Sequence, residues 1–141
     1  YKKGVLLVDD VTMLRKSLIQ ALGDSYQYYE AADGKEALEV LKESVSRIGI
    51  IITDIFMPVM DGFELIRELK QNSVYSHIPI IVITASEGRE NEIKALQLGA
   101  VDVVTKPYDP VIVSHRVRNV MEMSETEWLQ MEIQLMQDRG E

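Results

Sequence analysis

Five polar residues fall directly behind apolar runs. Asp9 and Asp10 follow Val5-Leu6-Leu7-Val8, Asp54 follows Ile50-Ile51-Ile52-Thr53, Thr84 follows Ile78-Pro79-Ile80-Ile81-Val82-Ile83, and Lys106 follows the run from Val101 to Thr105. Three carboxylates brought within a few ångströms would raise one another's pKa unless a cation sat among them. Hard oxygen ligands with room for water suit Mg²⁺. An ammonium and a hydroxyl beside such a cation supply what a phosphoryl group in transfer needs for its charge. A carboxylate in that setting can itself be the nucleophile, giving an acyl phosphate. Taken singly, a strand-ending Asp is more often a helix cap, a lone Lys a solvated side chain and a lone Thr a strand-end hydroxyl. The chemical reading rests on the set.

The elements that must position these residues can be read from periodicity. Val5 to Val8 is a short buried strand, followed by a helix from Thr12 to Leu22 with Leu14, Leu18, Ala21 and Leu22 on one face and Arg15, Lys16 and Gln20 away from it. Tyr26 to Glu30 is a second strand whose tyrosines read as its pleated surface, and Asp33-Gly34 leads into a helix from about Lys35 to Ser44. The β-branched run ending at Asp54 is the third strand, of the kind covered on both faces in a parallel sheet. Pro58 and Asp61-Gly62 then stop it and begin a helix from about Phe63 to Gln71. Strands at Ile78–Ile83 and Val101–Thr105 flank a helix at about Arg89–Leu98 closed by Gly99, and a last helical pattern starts at Pro110. Five strands alternating with five helices predict βαβ crossovers and one doubly wound parallel sheet. All strands then end on one edge, which gathers Asp9, Asp10, Asp54, Thr84 and Lys106. That edge is where open α/β sheets bind ligands.

A chain of 141 residues forms one ordinary domain, and 46% hydrophobic with 27% charged residues is the composition of a globular protein. The net charge of -8 argues against nucleic-acid binding through this chain. No apolar run approaches the ~20 residues of a membrane span. The absence of cysteine excludes disulfides, thiolate catalysis and Cys-ligated zinc, and is compatible with the cytoplasm. A start at Tyr1 without a methionine suggests a piece of a longer protein.

Asp9-Asp10, Asp54 with Pro58 and Gly62 beyond it, Thr84-Ala85 and Lys106-Pro107, in this order and spacing, resemble the receiver domain of two-component response regulators over residues from about 4 to 122. The resemblance implies a flavodoxin-like fold of strand order 2-1-3-4-5 and a cytoplasmic phosphorelay protein. It implies that Asp54 accepts a phosphoryl group from a histidine kinase, a phosphotransfer protein or a small donor. Asp10 and Asp54 would bind Mg²⁺ directly with the backbone carbonyl of Phe56, and Asp9 would hold a metal-bound water. Lys106 would pair with phosphoryl oxygens, Thr84 would hydrogen-bond them, Phe56 and Ser86 would tune the lifetime of the acyl phosphate, and the Lys106-Pro107 peptide would be cis. This chemistry is self-modification rather than turnover.

Val103 departs from the family pattern. Receivers often carry a Tyr or Phe three positions before the lysine, and Val103 has no ring to couple to Thr84. Two alternatives accompany the receiver reading. An aspartyl-nucleophile phosphatase wants a second Asp where Phe56 stands, and a phosphorylation-independent interaction module is compatible with Val103. His115 on the last helix and His77 in a loop read as ordinary surface residues, and the methionines as packing residues.

The pattern from Pro110 to about Arg139 contains no further Pro or Gly. Val117, Met121, Ser124, Trp128, Met131 and Leu135 step by four and three, a short heptad seam. The expected organisation is a receiver at 1–122 and a helical extension or linker at 123–141. The extension reads as a coiled coil leading toward an output domain outside this sequence. Ser124 with Glu127 is alternatively a capping box that starts a separate helix. A homodimer through the last helix or tail follows from the seam, and Asp102 with Arg116 matches an acid–base pair that some receivers use across a dimer face.

Overall fold

The computed structural model describes residues 2–85 and 89–140, with the side chains of Ser124, Glu125 and Trp128 outside the description. Ser86 therefore lies outside the described residues, as do the two seam side chains Ser124 and Trp128.

The described elements are β1 (Gly4–Val8), α1 (Thr12–Leu22), β2 (Gln27–Ala31), α2 (Gly34–Ser44), β3 (Ile48–Thr53), α3 (Gly62–Gln71), β4 (Ile80–Thr84), α4 (Arg89–Leu98), β5 (Asp102–Thr105) and α5 (Pro110–Asp138). Every strand pair is parallel and the sheet order is β2-β1-β3-β4-β5, as expected. A single 3-10 turn at Val45–Arg47 joins α2 to β3, an element that periodicity did not reveal. It is three residues long, too short to carry a repeat.

Alternation along the strands builds two cores. Leu6, Val8, Ile51, Ile80 and Val82 point into one with Ala37, Leu41, Phe63, Ile66, Leu69 and Ala95 from α2, α3 and α4. Val5, Leu7, Ile50, Ile52, Ile81 and Ile83 point into the other with Leu18, Leu22, Val113, Val117 and Met121 from α1 and α5. Fully burying each such side chain contributes roughly 1.5–3 kcal/mol, so the two faces together dominate stability. Val103 packs on the α2–α4 side, whereas Val104 faces α1 and α5.

Capping explains where the helices begin. Asp33 and Asp61 each precede a glycine, and their side chains accept from the amides of Glu36 at 2.8 Å and Glu64 at 2.9 Å. Asp109 accepts from the Val111 amide at 2.9 Å, with Pro110 in the first turn. From there α5 runs unbroken for 29 residues, so Ser124 does not start a separate helix. Its last buried residue among those described is Met121, and Met131 and Leu135 are exposed. Among the described residues no helix is long and apolar enough to cross a membrane.

Two sequence expectations change. The tyrosines of β2 do more than form a pleated surface: Tyr28 packs into the α1–α5 core and its hydroxyl donates to the carbonyl of Gly23, closing the end of α1. Arg15 does not point away from the body; only 12% of its side chain is exposed.

Candidate functional site

β1 ends at Val8 and the chain turns at once, because the carboxylate of Asp9 accepts the Val11 amide at 2.9 Å and competes with any further ladder pairing. The Asp9 amide still donates to the carbonyl of Ala31 at 3.1 Å, which ties the residue to the end of β2. Asp54 is placed in the same way one strand over. Its amide donates to the Val8 carbonyl at 2.9 Å, and its Oδ1 accepts from the Ile55 amide at 2.7 Å. The register Val8↔Thr53 thus sets Asp9 beside Asp54.

Beyond Asp54 the loop folds back on itself. The Gly62 amide donates to the Ile55 carbonyl at 2.6 Å, and a Cβ at this position would lie 2.3 Å from the Asp54 carbonyl oxygen. Only a glycine lets α3 start this close to the end of β3. Val59, within the loop, adopts φ 69°, a left-handed conformation that is costly for a β-branched residue. Phe56 lies in the same loop with 58% of its surface exposed.

Lys106 arrives from β5, where its amide donates to the Thr84 carbonyl at 2.8 Å and its peptide with Pro107 is cis. Its Nζ lies 3.3 Å from Asp54 Oδ2 and 3.5 Å from Asp9 Oδ2. Asp9, Asp10 and Asp54 each offer a carboxylate oxygen within 4.8 Å of the others. Asp9 is buried, Asp54 half-buried and Asp10 exposed. Thr84 is fully buried at the end of β4. The expected residues Asp9, Asp10, Asp54 and Lys106 therefore form one cluster. Thr84 adjoins it through the backbone, and Phe56 follows in the loop.

Burial pushes the Asp9 carboxyl above the usual range, against the Val11 hydrogen bond and Lys106, which lower it; the neighbouring charges of Asp54 and Asp10 raise it further. One lysine does not offset three acids, two of them shielded from water. The donor set is all oxygen, compact, and open on the Asp10 side. These properties fit a small hard divalent cation and resemble the Mg²⁺ site of receiver domains.

Two residues of the site were not read from the sequence as part of it. The Arg15 guanidinium reaches back from α1, donating to the Asp9 carbonyl, to Glu30 Oε1 at 3.1 Å and to Thr12 Oγ1 at 3.2 Å. Glu30 on β2 also accepts from Lys16 at 2.7 Å, and these cations, Lys16 first, hold its carboxyl below the usual range against partial burial. Their one-dimensional signal was only an i, i+1 pair of cations on a polar face. Asp102 and Arg116 pair with each other inside this chain, both carboxylate oxygens lying 2.9 Å from Nη1.

A family model described as the response regulator receiver domain matches residues 5–118. The response regulator PleD of Caulobacter vibrioides is 40% identical over 119 residues, covering 82% of this chain and 25% of that protein. The alkaline phosphatase synthesis transcriptional regulatory protein PhoP of Bacillus subtilis is 34% identical over 127 residues, covering 87% of this chain and 50% of that protein. Among solved structures, a chemotaxis response regulator of Vibrio cholerae superposes with a TM-score of 0.74 at 33% identity, covering 85% of this chain and 99% of the other. The chain thus spans a quarter to a half of the length of these two curated relatives.

Proposed function

The chain belongs to the response regulator receiver family, and on that premise we propose that Asp54 is its phosphoacceptor and that phosphorylation switches a partner or output. The observation that carries this is the convergence of Asp54, Asp9, Asp10 and Lys106 at one sheet edge. Asp10, Asp54 and the Phe56 carbonyl would hold Mg²⁺, with Asp9 reaching it through water, and the bound ion would supply positive charge to the phosphoryl oxygens. An Asp54 carboxylate oxygen attacks phosphorus in line. The P–N or P–O bond to the donor breaks, and the leaving group keeps the electron pair; a phosphohistidine whose other ring nitrogen carries a proton is thereby released as neutral imidazole. Lys106, already between the Asp54 and Asp9 carboxylates, moves onto a phosphoryl oxygen, and the Thr84 hydroxyl donates to another. Hydrolysis returns the carboxylate, so the protein modifies itself and does not turn over a separate substrate.

The donor in the cell is a histidine kinase or a phosphotransfer protein. With Val103 packed on the α2–α4 side and without a ring to swing, the change is read through the loop after Thr84 or through backbone shifts of α5. Residues 1–122 form the receiver and 123–141 a helical extension that carries a homodimer contact, supported by exposed Leu129, Met131, Ile133, Leu135 and Met136. Incubation with acetyl phosphate and Mg²⁺ should add one phosphate to the protein and none to Asp54→Asn, as read by intact mass. Equal phosphorylation of both proteins would overturn the assignment, as would phosphorylation unaffected by EDTA.

A further inference from the structure

We propose that Arg15 is a positioning residue for the divalent-cation site, acting through the peptide that joins Asp9 to Asp10, with Glu30 holding it in place. The proposal rests on the cation site described above. Among the described residues, Arg15 is the only guanidinium that lines the hollow around Asp9, Asp54 and Lys106. It donates to the Asp9 carbonyl, and that oxygen belongs to the peptide from which both carboxylates spring. With the Asp9 amide held by Ala31 and its Oδ1 by the Val11 amide, the guanidinium fixes the remaining backbone polar group of Asp9, its carbonyl. The Asp9-Asp10 peptide is then restrained on both sides of Asp9, and Asp10, which has the more exposed side chain, inherits its direction from that plane. A planar fork with several donors in fixed geometry holds a carbonyl, a carboxylate and a hydroxyl in one preset arrangement, which the rotatable ammonium of a lysine does not impose.

Glu30 solves an electrostatic problem that this arrangement creates. A bare guanidinium beside a cation site would repel the cation, and in partial burial that repulsion is poorly screened. Glu30, next to the last residue of β2, takes the Arg15 Nε–H on one carboxylate oxygen, and its second oxygen is taken by Lys16. The charge of Arg15 is thus matched by Glu30, while its hydrogen bond to Asp9 is kept.

The sign of the effect separates positioning from simple electrostatics. Removing a positive charge near the site should by itself tighten cation binding. If Arg15 orients the peptide, Arg15→Met should instead weaken Mg²⁺ binding, by about tenfold, the scale of losing an outer-shell partner of a metal ligand. Arg15→Lys, able to reach the carbonyl but not to bridge it to Glu30, should recover only part. Glu30→Gln should weaken binding while leaving Arg15 present; loss of a negative charge acts in the same direction, so this second variant serves to refute the role, by binding as tight as wild type, if Arg15→Met does not fold. Mg²⁺ titrations of the 141-residue protein, followed by the amide shifts of Asp10, Val11 and Ile55, give the dissociation constants directly. The same variants should need a higher Mg²⁺ concentration for half-maximal phosphorylation, by the same factor as their dissociation constants. Binding by Arg15→Met or Glu30→Gln as tight as wild type, or tighter, overturns the positioning role and leaves the cation site standing. A wild-type protein whose amides do not respond to Mg²⁺ overturns the cation site itself, and this role with it.

Discussion

Gly62→Ala sets two effects against each other, and the structure decides between them. Gly62 is the first residue of α3, where an alanine favours a helix over glycine by up to about 1 kcal/mol. Propensity alone therefore makes the variant more stable. The added Cβ, however, would stand 2.3 Å from the Asp54 carbonyl oxygen and 2.8 Å from the Ile55 Cα, both backbone atoms. No rotamer relieves such a contact, so α3 must withdraw by roughly an ångström, a shift of the overpacking kind that costs about 1–3 kcal/mol. Withdrawal also breaks the 2.6 Å hydrogen bond from the Gly62 amide to the Ile55 carbonyl, whose loss costs about 1 kcal/mol. The net is a destabilisation of roughly 1–3 kcal/mol, or about 3–9 °C in Tm for a domain of this size. Urea denaturation should show a lower midpoint at unchanged slope. Gly34→Ala is the internal comparison. Its Cβ meets mainly the side chain of Met60, at 2.7 Å from Cγ, and a methionine can turn aside. Gly34→Ala should therefore cost less than Gly62→Ala. A Gly62→Ala protein as stable as wild type, or one less harmed than Gly34→Ala, refutes this reasoning.

Val59→Asn should stabilise by about 1 kcal/mol, because a short polar side chain tolerates the left-handed backbone that valine does not; Val59→Gly should gain less, through the greater entropy of the unfolded chain, and thermal melts of both check this. In metal-free protein, stability should fall as pH rises from the unfolded Asp9 value of 3.8 through its raised folded value, because the folded state holds that proton more tightly. Asp9→Asn should remove this loss and melt higher at neutral pH; equal melting of the two proteins would contradict the burial argument. Glu30 works in the opposite sense: its folded value is lowered, so its contribution is present above the unfolded value of 4.5 and is lost as pH falls through the folded one, and Glu30→Gln should flatten that acid limb. Deleting residues 125–141 should reduce the solution mass from dimer to monomer, measured by light scattering; an unchanged dimer would move the contact to the receiver body.

How much of this was legible in the sequence depended on whether the signal was periodic. Strand β3 announced itself through Ile50, Ile51 and Ile52, and the sheet order followed from the family pattern. Its true start at Ile48 did not stand out, because Gly49 breaks the apolar run and the pairing with β1 shifts register there. The acids and Lys106 were legible because each ends an apolar run. Arg15 was not: its helical position is polar, and only its length lets the guanidinium reach back under the site, a matter of three-dimensional reach rather than spacing. The same limit applies to the loop after Asp54. Asp61-Gly62 marked a helix start correctly, but the close approach of Gly62 to the Asp54 carbonyl and the positive φ of Val59 are properties of the folded loop. Val103 shows the converse: its departure from the family's aromatic was visible at once, and the structure adds the face on which it packs.

The central claim is that the Asp54 carboxylate becomes covalently phosphorylated. Borohydride reduction of protein treated with acetyl phosphate and Mg²⁺ converts an acyl-phosphate aspartate to homoserine, and peptide mapping reads the position. The account predicts homoserine at position 54 alone, absent when Mg²⁺ is withheld. Homoserine at position 9 or 10, or none under conditions where the protein gains a phosphate, would contradict it.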